Sequence, residues 1–254
     1  MFNQSEITIV SAANEKFVPH LATLFLSLLQ TKKSESIFNF YVIDDHISLI
    51  SKDRLNRMIN GYNATISSLQ IDTLEFEDMV ESDRIPTIAY LRTAIPNFLK
   101  RTDIHRAIYL DCDIVALQPI EDIWSIDLGD KSVAAIEDAG FHQPLDAMEI
   151  DAMSNTYFNS GVMIIELDKW RAKKITEQVL KFASTNQEEL RFYDQDALNA
   201  LLHDRWLVLH PKWNAQAYIL LDEKDYPTKI GQIEYAETRQ EPALVHHYSG
   251  HIKP

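Results

Sequence analysis

The apolar positions of this chain change their period along its length. Ile7–Ala13 is a nearly unbroken apolar run, which predicts a strand buried on both faces. In the next segment Leu21, Leu24, Phe25, Leu28 and Leu29 recur at three- and four-residue intervals, which predicts a helix. Phe38–Ile43 returns to strand character and ends in Asp44-Asp45. Ser48 then serves as the expected N-cap of a helix reaching Asn60 and closed by Gly61. A third strand is expected near Ser68–Asp72, and a helix around Tyr90–Ile95 that Pro96 should end or kink. Arg106–Leu110 reads as a fourth strand, with Asp111-Cys112-Asp113 at its end and Ile114–Leu117 continuing extended. Beyond Ser132–Glu137 the segment Asp138–Tyr157 is long enough for a lid or binding loop. Phe158–Glu166 is strongly strand-like, helices fit Ile175–Phe182 and an Asp194-capped segment to Leu202, and short strands are expected thereafter.

Strand and helix alternating over the first 110 residues predict an α/β protein, with a mostly parallel, Rossmann-like central sheet and helices on both faces. Ligands of such sheets bind beyond the C-terminal strand ends. Those ends carry Ala12-Ala13-Asn14, Asp44-Asp45 and Asp111-Cys112-Asp113. No internal repeat or Gly/Ser/Pro linker divides the chain, so a single domain over residues 1–254 is expected.

Composition narrows the functions. A hydrophobic content of 46% with 24% charged residues argues for a packed core. The one cysteine, Cys112, excludes a disulfide framework or a multi-thiolate metal site. A net charge of −14 disfavours nucleic acid and anionic lipid as partners. An anionic small substrate stays open, because a divalent metal reverses the field inside one cleft. The first ten residues lack the charge and apolar pattern of a secretory signal, and Leu21–Leu29 is far short of a membrane span. A cytoplasmic protein is expected, with peripheral contact at the inner membrane face and the oligomeric state left open.

The chain contains no phosphate loop, no dinucleotide-binding glycine turn and no nucleophile elbow. Two Asp-x-Asp triplets occur, at 111/113 and 194/196, about as many as a chain with 21 aspartates meets by chance. Placement, not spacing, singles out Asp111 and Asp113. They follow an apolar strand, and residues i and i+2 of an extended segment point the same way, so both carboxylates can converge on a hard cation such as magnesium or manganese. Solvated carboxylates at a strand end are the competing reading. The C-terminal HHYSGHIKP offers histidines that can complete such a site and Lys253 as a point charge for phosphate.

Four ordered segments, YLDCDIVAL, YFNSGVMIIELDKWR, YDQDALNAL and HHYSGHIKP, resemble glycosyltransferase family 8, most of all its bacterial lipopolysaccharide galactosyl- and glucosyltransferases. The resemblance implies a GT-A fold, with a nucleotide-binding half over about residues 1–117 and an acceptor and donor-sugar half over about 118–254. It implies transfer of a hexose, galactose or glucose, from a UDP-sugar to a glycan, lipopolysaccharide or glycoprotein acceptor, with retention at the anomeric carbon. Manganese is the implied metal, with magnesium as the substitute. Carried over by position, Asp111, Asp113 and His247 would bind the metal, with Cys112 between them in the donor site. Ala12, Ala13 and Asn14 would receive uridine and Phe17 would stack on uracil. Gly250 and Lys253 would hold the diphosphate. Arg92 and Asp138 would contact the donor, and Asn159, Ser160, Asp194 and Gln195 would line the sugar pocket. Gln195 and Asp196 are the catalytic candidates, Asp196 as a nucleophile or Gln195 as a carbonyl stabilising positive charge in a front-face substitution.

Two other classes compete. A haloacid-dehalogenase-type phosphohydrolase would use Asp111 as nucleophile. It needs a downstream acidic pair, but Gly129-Asp130 is followed by Ala134 and Ala135 where the second acid belongs. A non-catalytic sugar-nucleotide-binding module would be favoured by a broken metal triad, and the triad is complete in the sequence.

Overall fold

The computed structural model describes residues 6–33, 35–70, 90–99, 103–138, 144–153, 156–221 and 232–246. Seven strands form the central sheet: β1 (Glu6–Asn14), β2 (Ile37–Asp45), β3 (Ala64–Gln70), β4 (Arg106–Leu110), β6 (Val133–Glu137), β7 (Phe158–Glu166) and β8 (Leu207–Val208). Their order is β3-β2-β1-β4-β7-β6-β8. A two-stranded ribbon pairs β5 (Ile114–Ala116) with β9 (Leu244–His246). β1 to β4 run parallel, as the alternation of elements predicts, whereas β7 is antiparallel to both of its neighbours.

Alternation along each strand builds two cores. Ile7, Ile9, Ile108, Leu110, Val162 and Ile164 face one side of the sheet. Val10, Ala12, Ala107, Tyr109, Met163 and Ile165 face the other. This is the two-residue period of a pleated strand covered on both faces. Helix Val18–Thr31 buries Leu21, Leu24, Phe25, Leu28 and Leu29 on the first side, and the Phe25 ring stacks on Phe40 of β2 with centroids 4.1 Å apart. Helices Ile175–Thr185 and Asp194–Leu202 cover the second side through Val179, Leu180 and Leu198.

Several boundaries differ from expectation. β3 begins at Ala64, four residues earlier than predicted, because an edge strand needs pairing to β2 more than apolar content; Ile71 and Asp72 lie outside the described residues. Pro96 does not end a helix. It sits in the first turn of helix Ile95–Phe98, where its missing N–H costs nothing, after a 3-10 turn over Arg92–Ala94. The segment after Leu202 holds helices Ala217–Leu220 and Gln232–Gln240 besides its short strands. Of Asp138–Tyr157, residues 139–143 and 154–155 lie outside the described residues, and Pro144–Ala147 is a short helix.

Among the described residues the sheet carries a register shift between β6 and β7, near the C-terminal end of β4. The β6–β7 register runs Val133↔Ile165, Ala134↔Ile164 and Ala135↔Met163, then jumps to Ile136↔Asn159 and Glu137↔Phe158. The jump releases β7 residues 160–162 from pairing with β6 just beyond the end of β4. Breaks of this kind re-aim side chains and are common beside active sites.

Phe25→Ala removes a ring that is fully buried between helix and sheet. It should destabilise the protein by about 3–5 kcal/mol. Ile50→Ala, at a position 68% exposed, should change stability by less than about 0.5 kcal/mol. Denaturant midpoints of the two variants check the contrast.

Candidate active site

Parallel β1 and β4 deliver their C-terminal ends side by side, tied by Ser11 Oγ donating to the Leu110 carbonyl at 2.7 Å. The chain then turns through Asp111 and Asp113. Asp113 is buried, and Asp111 is mostly so. Ile114 of β5 pairs with His246 of β9, which brings a histidine from the far end of the described chain onto the two carboxylates. His246 Nε2 lies 3.3 Å from Asp113 Oδ1 and 3.8 Å from Asp111 Oδ2. One donor atom from each of the three residues lies within 4.8 Å of the others.

The donor set fits a divalent cation. Two carboxylate oxygens and one imidazole nitrogen suit manganese and, less well, magnesium. The space is kept open by Gly161, where a Cβ would stand 2.7 Å from Asp111 Oδ2 and 2.8 Å from His246 Cε1. Any side chain there would fill the cradle.

Asp111 divides its two oxygens between tasks. Oδ1 accepts the Tyr109 hydroxyl at 2.8 Å and pairs with Arg92 Nη1 at 3.2 Å, leaving Oδ2 on the His246 side. Burial holds the Tyr109 phenol well above its ordinary pKa, so it remains a donor. Arg92 also donates through Nη1 to the Ser160 carbonyl and hydroxyl, both at 3.1 Å. Its Nε lies 2.9 Å from Asp194 Oδ2, and its guanidinium sits 5.0 Å above the Tyr109 ring. Arg92 therefore joins the two Asp-x-Asp segments. Burial works against its charge, but Asp111 and Asp194 more than compensate and hold its pKa above the usual range. Burial pushes the Asp194 carboxyl up to about 7; Arg92 acts in the opposite direction and Asp111 adds to the rise.

Behind the carboxylates lies a buried polar chain. The N–H groups around the β6–β7 break find side-chain oxygens. Phe158 N donates to Asn199 Oδ1 at 2.7 Å, Ser160 N to Gln195 Oε1 at 2.9 Å, and Gly161 N to Asn159 Oδ1 at 2.9 Å. A backbone N–H only donates, so each bond fixes which end of the amide is oxygen. Gln195 Nε2 and Asn159 Nδ2 then both donate to Asp138 Oδ2 at 3.1 Å, while the Tyr218 hydroxyl donates to Asp138 Oδ1 at 3.1 Å. Asn214 Nδ2 donates to Asn159 Oδ1 at 2.9 Å, and Asn214 Oδ1 faces His246 Nδ1 at 3.1 Å.

The expected residues fall into three groups. Arg92, Asp111, Asp113, Asp138, Asn159, Ser160, Asp194 and Gln195 are joined by these contacts, with half-buried Cys112 between the two carboxylates. Ala12, Ala13 and Asn14 end β1 beside them. Asn14 Oδ1 caps the next turn by accepting Lys16 N at 3.1 Å, and Phe17 packs partly buried at the edge of the first core. Glu15 is committed elsewhere, accepting from Ser48 N, Ser48 Oγ and Ser51 Oγ at the start of helix Leu49–Met58. His247, Gly250 and Lys253 lie outside the described residues.

Asp196 has the geometry of a loop anchor. Its Oδ1 accepts the Tyr157 hydroxyl and its Oδ2 accepts Arg191 N and Phe192 N, all at 2.6 Å, next to Tyr193 at φ 48°. Asp194 is the first residue of its helix rather than the cap, which is Tyr193. Asn214, Tyr109, Tyr218 and His246 belong to the site without being marked by the sequence. Only His246 carries a signal there, as the neighbour of His247.

The structure superposes on a galactosyltransferase LgtC, solved in complex with donor and acceptor sugar analogues, with a TM-score of 0.83 over 98% of this chain and 89% of that one, at 22% identity. That likeness is one of fold, and it makes this a GT-A protein. A general stress protein A of Bacillus subtilis is 43% identical over 248 residues, covering 97% of this chain and 86% of that protein. A lipopolysaccharide 1,2-glucosyltransferase of Escherichia coli is 25% identical over 246 residues, covering 95% and 70%. The profile of Glycosyl transferase family 8 matches residues 8–254, and the chain belongs to that family. No helix among the described residues is long and apolar enough to cross a membrane.

Gly161→Ala should force apart Asp111, His246 and Asn159, whose nearest atoms lie 2.7–2.9 Å from the new carbon. We expect binding of a divalent cation to be weakened and turnover to fall more than about tenfold, with the circular dichroism spectrum unchanged. A wild-type metal response in this variant would show that the cradle plays no part in holding the cation.

Asp194 gives a pH signature. Its carboxyl binds a proton more tightly folded, with a pKa of about 7, than unfolded, about 3.9. Its contribution to stability is therefore full at acid pH and declines as pH rises through that window. Asp194→Asn should flatten the fall of Tm between pH ~4 and ~7 relative to wild type. Parallel curves for the two proteins would contradict the assignment.

Proposed function

We propose that this glycosyltransferase moves a hexose, galactose or glucose, from a UDP-sugar to a hydroxyl of a glycan or glycoconjugate acceptor, with retention at the anomeric carbon and with manganese as its metal. The observation that carries the reading is the convergence of Asp111, Asp113 and His246 on one point, with Gly161 leaving no side chain between them, in a family of glycosyltransferases. The relatives' names support the hexose: one is a galactosyltransferase and another a glucosyltransferase.

When bound, a divalent cation supplies Lewis-acid stabilisation of the charge that develops on the leaving diphosphate. The chain's own residues do the rest. The β1 end with Ala12, Ala13 and Asn14, and Phe17 beside it, would take the uridine. Gly250 and Lys253 would hold the diphosphate, with Cys112 at the donor. Arg92 holds Asp111 and Asp194 in place and keeps the negative charge of the site in balance. Asp138, Asn159, Ser160, Asp194 and Gln195 would receive sugar hydroxyls from a rigid, buried frame. Such preorganisation places charge and dipoles before the reaction begins.

The bond from the anomeric carbon to the phosphate oxygen breaks, the bond to the acceptor oxygen forms on the same face, and the acceptor proton passes to a departing phosphate oxygen. Of the two catalytic candidates, Gln195 is favoured. Ser160 N–H and Oγ fix the direction of its carbonyl dipole next to Asn159 and Asp138, the proposed sugar contacts, whereas both oxygens of Asp196 are spent on Tyr157 and the main chain of residues 191 and 192. The phosphohydrolase reading gains nothing, since Asp130 is an exposed turn residue beside Lys131 and Ala134 and Ala135 are core residues of β6.

A panel of UDP-sugars with Mn2+, scored for UDP release and for transfer to glycan acceptors, tests the reading directly. UDP with Mn2+ should raise Tm more than ADP with Mn2+. Asp113→Asn and His246→Ala should each lose more than about 90% of turnover, above roughly 1.4 kcal/mol at the barrier. Loss in His247→Ala with His246→Ala unaffected would hand the ligand role to His247, and activity retained in Asp113→Asn would refute the metal site.

A further inference from the structure

We propose that Gln216 is a specificity-determining residue for the sugar: its buried side-chain amide is a hydrogen-bond donor held ready for a sugar hydroxyl in the cleft. The ligand named here rests on the proposed hexosyl transfer.

Main-chain pairing places the side chain. Ala215 forms a parallel β-bridge with Val245: Ala215 N donates to the Leu244 carbonyl at 2.8 Å, and His246 N donates to the Ala215 carbonyl at 3.1 Å. Ala215 and Gln216 both have extended backbone. Side chains two positions apart on an extended segment leave it on the same side. Asn214 uses that side to reach Asn159 Oδ1 at 2.9 Å, so Gln216 is directed toward the same side. In the helix that follows, the Tyr218 hydroxyl donates to Asp138 Oδ1 at 3.1 Å. Gln216 is thus flanked by residues that contact Asn159 and Asp138, two of the proposed sugar contacts.

The amide is also uncommitted. Gln216 is 2% exposed, and its Nε2 is buried without any acceptor. Buried donors are nearly always paired, because one left bare forfeits its hydration with no return. The fold makes no use of this one. Gln216 is the N-cap of helix Ala217–Leu220, yet its side chain makes no capping bond; its carbonyl alone accepts Ile219 N at 3.0 Å and Leu220 N at 3.2 Å. The amides of Asn159, Gln195 and Asn214, by contrast, are spent on the main chain, on Asp138 and on one another. Burial does not separate Gln216 from the sugar contacts, since Asp138, Asn159 and Gln195 are buried as well. A sugar hydroxyl offers lone pairs to such a donor. A site that keeps a donor for a substrate hydroxyl rejects an analogue without it, because the donor is then left unpaired.

The proposal predicts that stability and activity move in opposite directions. Gln216→Met has similar length and no polar side-chain nitrogen or oxygen. Its ligand-free Tm should equal or exceed that of wild type, because a buried unpaired donor is removed. Its affinity for UDP with Mn2+ should be unchanged, since the contact is to the sugar. Its kcat/KM should fall by about tenfold, the worth of one buried hydrogen bond. Loss in UDP-hexose hydrolysis without acceptor assigns the contact to the donor hexose, and loss confined to transfer assigns it to the acceptor sugar. Among sugars each lacking one hydroxyl, the one without the contacted group should be penalised in wild type and no further in Gln216→Met. A Gln216→Met protein that is less stable or does not fold would show that the amide has a structural partner and would overturn the proposal. Unchanged kcat/KM, or a fall in UDP affinity that accounts for the whole loss, would overturn it too. A wild type inert toward every UDP-hexose would instead refute the hexosyl-transfer reading, and the sugar ligand with it.

Discussion

The site depends on a break in strand pairing. If β6 and β7 were zipped without interruption, the Ser160 N–H would be committed to the ladder. The jump from Ala135↔Met163 to Ile136↔Asn159 leaves it to Gln195, while the Gly161 N–H, on the β4 side where its carbonyl accepts Asp111 N, turns to Asn159. Buried main-chain donors must be paired, so the break demands acceptors. The acceptors that fill it are amides whose nitrogens both donate to Asp138, while the Asn159 oxygen also accepts from Asn214. A local loss of sheet pairing is thereby converted into a directional polar frame. Its polarity is dictated by the main chain, and a fully satisfied network of this kind is rigid because any reversal would leave a buried donor or acceptor without a partner.

Charge is handled by a second device. The chain carries a net −14, and the site concentrates Asp111, Asp113, Asp138, Asp194 and Asp196 in a small volume. Arg92, Tyr109 and Tyr157 divide that load. Arg92 lies between Asp111 and Asp194, Tyr109 donates to Asp111, and Tyr157 donates to Asp196. Burial is the main reason the Asp194 carboxyl is raised to about 7, with Arg92 pulling it the other way. An anionic donor accompanied by a cation suits such a cleft better than an anion alone.

Much of this is legible in the chain. Unbroken apolar runs are unambiguous where a strand is covered on both faces, so β1, β2, β4 and β7 lie close to their expected limits, as do the helices over 18–31 and 194–202. Pro96 misleads because proline says that a helix is bounded nearby and not on which side. β3 starts earlier than its apolar residues suggest because edge strands need little apolar content. The described candidates from the ordered motifs are joined at one place, since strand ends and the first turns of helices carry their side chains to fixed positions.

What the sequence determined by itself was therefore the α/β architecture, the location of the site beyond the strand ends, and the residue types that line it. These follow from local periodicity and from motif order, and both survive in one dimension. The tertiary structure alone decided the pairing of β5 with β9, which brings His246 to Asp111 and Asp113 from more than 130 positions away. It also decided the direction of the Asn159, Gln195, Asn199 and Asn214 amides. Asn214 carries no signal in sequence, because an asparagine's role is set by the donors and acceptors it meets, and those arrive from β7 and β9 only when the chain has folded.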